Sequence, residues 1–331
     1  MSVLAQETKA SIDSSRTELA ALTSGCGFYH AERALFPISG RDRVRWLNGM
    51  VSNNIRDLAP GKGVYAFVLN PQGHILGDLY VFNRGENLVA EIDREQSQSL
   101  IQILKRYIIM DKVQIADQSD KLAVIGIAGP KSGEVLAAAG LNATIESLDI
   151  TDIEWKDFNA TLVRSDNASF PAYELWVPAE KEESTRNALR HAGAEEVSPE
   201  TLESFRILCG IPQFGRDIRE KTLPQETGQD RALNFNKGCY IGQEIVERIR
   251  ARGAVHRTFT GFTIEGTAPA AGTKIQSEGR DVGEITSVMA QPLKGKQLAL
   301  GYLRKEFLEK HLSAGEATVK PVALPLTNIF S

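Results

Sequence analysis

Gly63-Val-Tyr-Ala-Phe-Val-Leu-Asn-Pro-Gln-Gly-His-Ile-Leu-Gly-Asp-Leu-Tyr-Val-Phe82 reads as one β-hairpin. The apolar run Val64 to Leu69 is a strand, and His74 to Phe82 is its return. Between them, Asn70-Pro71-Gln72-Gly73 has proline second and glycine fourth, which suits a type I turn. Alternation along the return strand sends Ile75, Gly77 and Leu79 to one face and Leu76, Asp78 and Tyr80 to the other. Asp78 therefore stands between two apolar neighbours. A carboxylate there is placed to hold, or exchange a proton with, a nitrogen heterocycle. A strand aspartate facing water is the plainer reading, and the residues leave the two level.

Outward from the hairpin, Arg94 to Ile109 carries Leu100, Ile101, Leu104, Tyr107 and Ile108 at helical spacing, followed by a short strand at Val113 to Ala116. Strand, strand, helix, strand is a packed-sheet unit, and the mixture points to an α+β protein. A second unit begins at Lys121. There the run Leu122 to Ile127 meets Gly129-Pro130 and a short amphipathic helix, and Tyr173 to Val177 adds a strand. Beyond Val255, short strand-like runs punctuated by Gly266, Gly272, Gly279, Gly283 and Gly295 predict a small antiparallel β-barrel. The expected division is 1–250, in two lobes split near 118, and 251–331.

At 331 residues, with 42% apolar and 24% charged side chains, the chain has the balance of a globular protein with a packed core and not that of a disordered one. A net charge of −4 argues against a surface that coats nucleic acid or anionic membrane throughout. No uncharged apolar run approaches the roughly 18 residues of a membrane span, and MSVLAQETKA lacks the apolar core of a secretory signal, so a cytoplasmic location is expected. Cys26, Cys209 and Cys239 form no CxxC, and the five histidines are scattered singly, so neither a structural disulfide nor a metal site is expected. Gly61-Lys62-Gly63 lacks the spacing of a phosphate loop.

Ser198-Pro199 opens a helix and Gly210 closes it. Leu202, Phe205 and Cys209 share a face, and Arg206 falls inside it. A guanidinium so placed needs an anion. Either a ligand supplies it or an internal Asp or Glu does, and the spacing leans to the internal pair. The stretch Asn236-Lys237-Gly238-Cys239-Tyr240-Ile241-Gly242-Gln243-Glu244 leads into a helix whose Ile241, Ile245 and Ile249 make one stripe. Gly238 and Gly242 bracket the cysteine, and Lys237 with the positive end of the helix would favour a thiolate. Cys239 is thus the candidate reactive thiol, against the plainer reading of a small inert core residue. Glu244 and Arg248 are spaced for a surface ion pair. Arg248, Arg250, Arg252 and Arg257 with Lys237 form the densest basic cluster, either a solvated helix face or a contact for a polyanion.

With these residues in hand, the chain resembles the YgfZ and Iba57 group of the aminomethyltransferase-like, glycine cleavage T-protein-related folate-binding superfamily. Lys237-Gly238-Cys239-Tyr240-Ile241-Gly242-Gln243-Glu244 matches that group's K-G-C-Y-x-G-Q-E signature in full. Supporting stretches follow in order: Arg45 to Gly49, Leu69-Asn70 through Gly77-Asp78-Leu79, Leu104 to Tyr107, Ala128-Gly129-Pro130, Ala172 to Leu175, and Phe205-Arg206-Ile207 through Gly210-Ile211-Pro212. The resemblance implies three lobes in a ring, holding tetrahydrofolate or a one-carbon derivative in a central channel. It implies that Glu174 of the Tyr173-Glu174 element meets the pterin's guanidine-like edge, with Tyr173 also among the folate-binding residues, that Arg206 serves the ligand pocket, and that Asp78 is one of the carboxylates beside the folate amine. T-protein has Asp-Asp where this chain has Gly77-Asp78, a departure that weighs against aminomethyl transfer.

The implied function is that of a folate-binding accessory protein for iron–sulfur cluster assembly or repair, supporting cluster enzymes that include tRNA-thiolating ones. In it Cys239 is the functional thiol, with Lys237 and Arg252 around it. Its implied partners are a reduced folate and iron–sulfur client or assembly proteins. The alternative is a folate-dependent aminomethyl or one-carbon transferase that uses Asp78 for proton handling. Direct tRNA binding through the arginines is a third reading.

Overall fold

Strands Lys62–Leu69 and Ile75–Asn83 pair antiparallel, with Tyr65 opposite Tyr80 and Phe67 opposite Asp78, in a computed structural model that describes residues 3–142, 144–253 and 255–330. The turn forms where expected. The Gly73 N–H donates to the Asn70 carbonyl at 2.9 Å, while Asn70 Oδ1 accepts from the N–H groups of Gln72 and His74 at 3.0 and 2.9 Å. Gly73 has φ +76°, a conformation that costs a glycine little.

This hairpin belongs to a five-stranded antiparallel sheet in the order Lys62–Leu69, Ile75–Asn83, Leu88–Asp93, Arg33–Ser39, Gln114–Ile115. A six-stranded sheet runs Glu195–Glu196, Gly27–His30, Leu122–Ala128, Ala172–Pro178, Phe158–Arg164, Ile150–Trp155. Both lie in one compact unit, Ala21–Glu196 with Gln229–Ala251. One face of the five-stranded sheet buries Phe36, Ile38, Val68, Leu79 and Val81 with Trp46, Leu47, Leu100 and Leu104 from two helices, Arg43–Met50 and Arg94–Lys105. Its other face sets Leu35, Phe82 and Val89 against Val124, Val163 and Trp176 of the six-stranded sheet. Each such large side chain contributes about 1.5–3 kcal/mol on burial.

The helix expected to reach Ile109 stops at Lys105. The N–H groups of Tyr107 and Ile108 instead bond three residues back, each at 3.1 Å, and Trp46 Nε1 donates to the Tyr107 carbonyl at 3.2 Å. Leu100, Ile101 and Leu104 keep the core, whereas Tyr107 is 39% and Ile109 84% exposed.

The second unit comprises Met1–Ala20, Val197–Gly228 and Arg252–Ser331. Six antiparallel strands close a barrel in the order Arg257–Glu265, Gln297–Arg304, Arg280–Val288, Lys274–Ser277, Leu312–Ala314, Ala317–Val322, around Phe262, Ile275, Ile285, Leu303 and Val319. This is the barrel expected after Val255. Helix Pro199–Cys209 has the expected ends: Ser198 Oγ accepts the Thr201 N–H at 3.4 Å, and Gly210 has φ +69°. Among the described residues no helix is long and apolar enough to cross a membrane.

Candidate functional site

The last turn of an α-helix leaves carbonyls without intrahelical partners. At the end of Arg43–Met50 those of Asn48 and Val51, with that of Asn53, each accept a hydrogen bond at 2.6 Å from Lys237 Nζ. All three ammonium donors are thus spent within the protein. Burial, with Arg56 nearby, opposes the charge and pulls the Lys237 pKa down to about 7. The residues that follow are held as closely. The Ile241 N–H donates to the Gly49 carbonyl at 3.2 Å, and the Tyr240 N–H to Gln243 Oε1 at 3.3 Å. Gly242, at φ +84°, lies where a Cβ would come within 2.7 Å of the Asn70 carbonyl. Lys237, Ile241 and Gly242 therefore clamp the loop to the end of one helix and the turn of the hairpin. Cys239, between them, is free and exposed.

The rest of the basic cluster is divided. Arg250 lies over the Phe235 ring at 4.2 Å and 3.7 Å from Glu247, so the helix Gln243–Arg252 carries that ion pair where Glu244–Arg248 was expected. Arg257 forks onto Glu226 at 3.0 and 2.9 Å. Arg248 and Arg252 are exposed.

Alternation on the return strand is as read, and Asp78 is half-buried. Its two carboxylate oxygens accept from the Tyr65 hydroxyl and from Gln96 Nε2. Pairing of the return strand with Leu88–Asp93 stops at Tyr80–Glu91, and the Asp78 N–H donates instead to Gln96 Oε1 at 3.2 Å. Gly77 makes room for this helix. A Cβ there would stand 2.8 Å from both Gln96 Oε1 and Leu100 Cδ1. Gly77→Asp, which restores two adjacent carboxylates, is expected to lower unfolding stability by about 1–3 kcal/mol through overpacking. Urea titration measures it, and unchanged stability would mean that the Gln96–Leu100 face yields without strain.

On the face that carries Asp78, Tyr65 and Tyr80 have ring centroids 5.0 Å apart. The Tyr80 hydroxyl donates to Asp166 at 2.8 Å. Arg231 pairs with Asp166 and lies over the Tyr65 ring at 4.5 Å. Glu174, on strand Ala172–Pro178, is buried and accepts Trp176 Nε1 on Oε2 at 3.2 Å. Arg33 Nε lies 3.9 Å from Glu174 Oε1 and 3.0 Å from Glu91 Oε1. Tyr173, next in chain to Glu174, is buried with the Arg164 guanidinium 4.3 Å over its ring.

Arg206 lies in the other unit. Its Nε and Nη2 donate to the two Glu203 carboxylate oxygens at 2.8 Å each, Nη1 to Asp217 at 2.7 Å and to the Ile211 carbonyl, and Nη2 also to Ser287 Oγ at 2.8 Å. That accounts for all five guanidinium donors. The internal pair is therefore the arrangement present, and no donor of Arg206 remains for a ligand.

Arg33, Tyr65, Glu91, Gln96, Asp166 and Arg231 were not legible as site residues. Glu91 alone carried a signal, a charge inside the apolar run Leu88 to Ile92. The others reach the site through tertiary contacts that no local pattern announces.

Fold and site together define a mixed α+β protein with two antiparallel-rich sheets, a carboxylate-bearing polar face and a six-stranded β-barrel. Residues 6–237 match the GCVT N-terminal domain, well over half of the chain, and the chain belongs to that family. Residues 256–325 match the CAF17 C-terminal beta-barrel domain. The aminomethyltransferase of Cutibacterium acnes is 26% identical over 283 residues, covering 80% of this chain and 76% of that protein. The aminomethyltransferase of Thermus thermophilus is 25% identical over 282 residues, 82% of this chain and 77% of that one. Among solved structures, the glycine cleavage system aminomethyltransferase T of Bartonella henselae superposes with a TM-score of 0.84 at 20% identity, over 94% of this chain and 89% of that one, a likeness of fold.

Proposed function

We propose that the protein binds a reduced folate, tetrahydrofolate or a one-carbon derivative, and uses Cys239 in the assembly or repair of iron–sulfur clusters in client enzymes, tRNA-thiolating ones among them. The observation that carries the reading is the exposure of Cys239 at the crest of a loop whose neighbours are tied down. A residue that only fills space is ordinarily buried, as Cys26 and Cys209 are. The Lys237–Glu244 signature, the CAF17-type barrel and the GCVT family membership support the same reading. One thiolate cannot supply the four that usually hold a cluster, so Cys239 would make a single bond to a client, or to a cluster that a partner also ligates.

The residues present fit a folate. A carboxylate has about four lone-pair sites, and the Trp176 N–H occupies one on Glu174, leaving acceptors for the paired N–H donors of a pteridine edge. Asp78, fixed by Tyr65 and Gln96, would take a further polar group of the ring, and Tyr173 would stiffen the strand that carries Glu174. A bound folate would supply a one-carbon carrier; the chain's own groups bind and orient it. Glu174→Gln exchanges two of those acceptor sites for N–H donors, and tetrahydrofolate affinity is expected to fall about 10-fold or more by calorimetry. Wild-type protein that takes up no tetrahydrofolate would overturn the folate half of the reading.

A second reading, aminomethyl or one-carbon transfer, draws on the retained Asp78 and on the aminomethyltransferase relatives. Methylene transfer to tetrahydrofolate from an amine donor, lost in Asp78→Asn, would favour it. No transfer from any amine donor would remove it.

A further inference from the structure

Glu91 is 2% exposed, and strand Leu88–Asp93 brings it to the same Arg33 that approaches Glu174. Arg33 Nε stands 3.0 Å from Glu91 Oε1, yet that oxygen has no hydrogen-bond partner in correct geometry. Two buried carboxylates thus share one guanidinium that is itself 31% exposed. Were both ionised, one negative charge would go uncompensated beside a Glu91 carboxylate kept from water, and one retained proton removes it. Burial first, and then Glu174, push the Glu91 carboxyl well above the usual carboxylate range, against the pull of Arg33. The other groups facing the cluster have their own partners or lie further off. Tyr80, directly across from Glu91, donates to Asp166, near Arg231, and Asp93 closes the same strand and caps the following helix. Trp176 Nε1 is on Glu174 Oε2.

We propose that Glu91 is a positioning residue that keeps its proton at neutral pH and donates it to Glu174, leaving Glu174 as the single ionised carboxylate for the ligand. The proposal rests on the folate reading above and narrows it to a ligand class. With Glu91 neutral, Arg33 and Glu174 cancel in charge, and the subsite suits an uncharged N–C–N edge bearing two N–H donors, as in a 2-amino-4-oxopteridine. Glutamine at this position keeps an N–H donor and an acceptor in the same shape, whereas leucine keeps only the volume.

The test begins on ligand-free protein labelled with carbon-13 at the glutamate carboxyls and titrated from about pH 5 to 9 by NMR. One glutamate carbon should keep the shift of a neutral acid through pH 7 and be missing from the spectrum of Glu91→Gln. Calorimetry with tetrahydrofolate follows. Glu91→Gln should bind within about threefold of wild type and Glu91→Leu about tenfold or more weakly. Absence of the neutral signal, or Gln and Leu variants that bind alike, overturns the role of Glu91 and leaves the folate reading standing. A neutral Glu91 signal with no tetrahydrofolate binding by wild type overturns the folate reading instead, and with it the ligand class assigned here. Should Glu91→Leu fail to fold, the wild-type and Glu91→Gln spectra still decide the protonation state.

Discussion

Cys239→Ser is expected to reduce the support of cluster-dependent enzymes to the level of a deletion strain while leaving the fold untouched. The thiol is exposed, and the loop around it is held by Lys237, Ile241 and Gly242, none of which depends on sulfur. Exchange of one exposed atom of similar size should alter stability by no more than about 0.5 kcal/mol, so thermal unfolding should be nearly superimposable. The chemistry changes much more. A serine hydroxyl does not ionise near neutrality and is a poor ligand for iron, whereas a thiolate is both nucleophile and soft ligand. Cluster-dependent tRNA thiolation and the activities of iron–sulfur enzymes in the complemented strain measure the effect. Activities equal to wild type would show that the exposed sulfur has no part in the process.

Asp217→Ala is expected to cost about 3–5 kcal/mol of folding free energy, the range for breaking a buried ion pair from one side. The Asp217 side chain is 0% exposed. It accepts from Arg206 Nη1 at 2.7 Å, the Gln213 N–H at 3.0 Å, Ser287 Oγ at 2.9 Å and Thr286 Oγ1. It thereby ties helix Pro199–Cys209 to barrel strand Arg280–Val288. Truncation leaves the Gln213 amide and the Ser287 hydroxyl short of an acceptor, and leaves Glu203, which is more exposed than Asp217, as the one carboxylate on the guanidinium. Chemical denaturation reads the loss. A change below about 1 kcal/mol would place this network with surface pairs and not with buried ones.

What could be read along the chain was read where the deciding interactions are local. The Asn70–Gly73 turn is set by proline, glycine and an asparagine side chain bonding within four residues. The ends of helix Pro199–Cys209 are set by Ser198 and Gly210 at its own termini. One misreading arose where a distant partner competes, the other where two local partners are equally near. Helical spacing continues past Lys105, but the Tyr107 carbonyl goes to Trp46, 61 residues away in the chain. On Gln243–Arg252 the glutamate that pairs is Glu247 with Arg250, an i,i+3 choice that spacing rules do not separate from i,i+4.

The same distinction divides the candidate site. Cys239 and its glycines could be singled out from eight consecutive residues, because a bracketed cysteine before a helix is a local pattern. That Lys237 is an anchor became visible only once the chain had brought it to Asn48, 189 residues away. Likewise the sequence by itself determined the alternation that turns Asp78 and Tyr80 to one face, the mixed α+β character and the barrel, since each follows from short-range periodicity and turn residues. Tertiary structure alone decided that Arg33, Glu91 and Glu174, from three strands in two sheets, form one charge cluster whose two carboxylates are buried. Charge in a buried place is satisfied by whatever the fold brings within about 4 Å, and proximity of that kind leaves no periodicity in the chain.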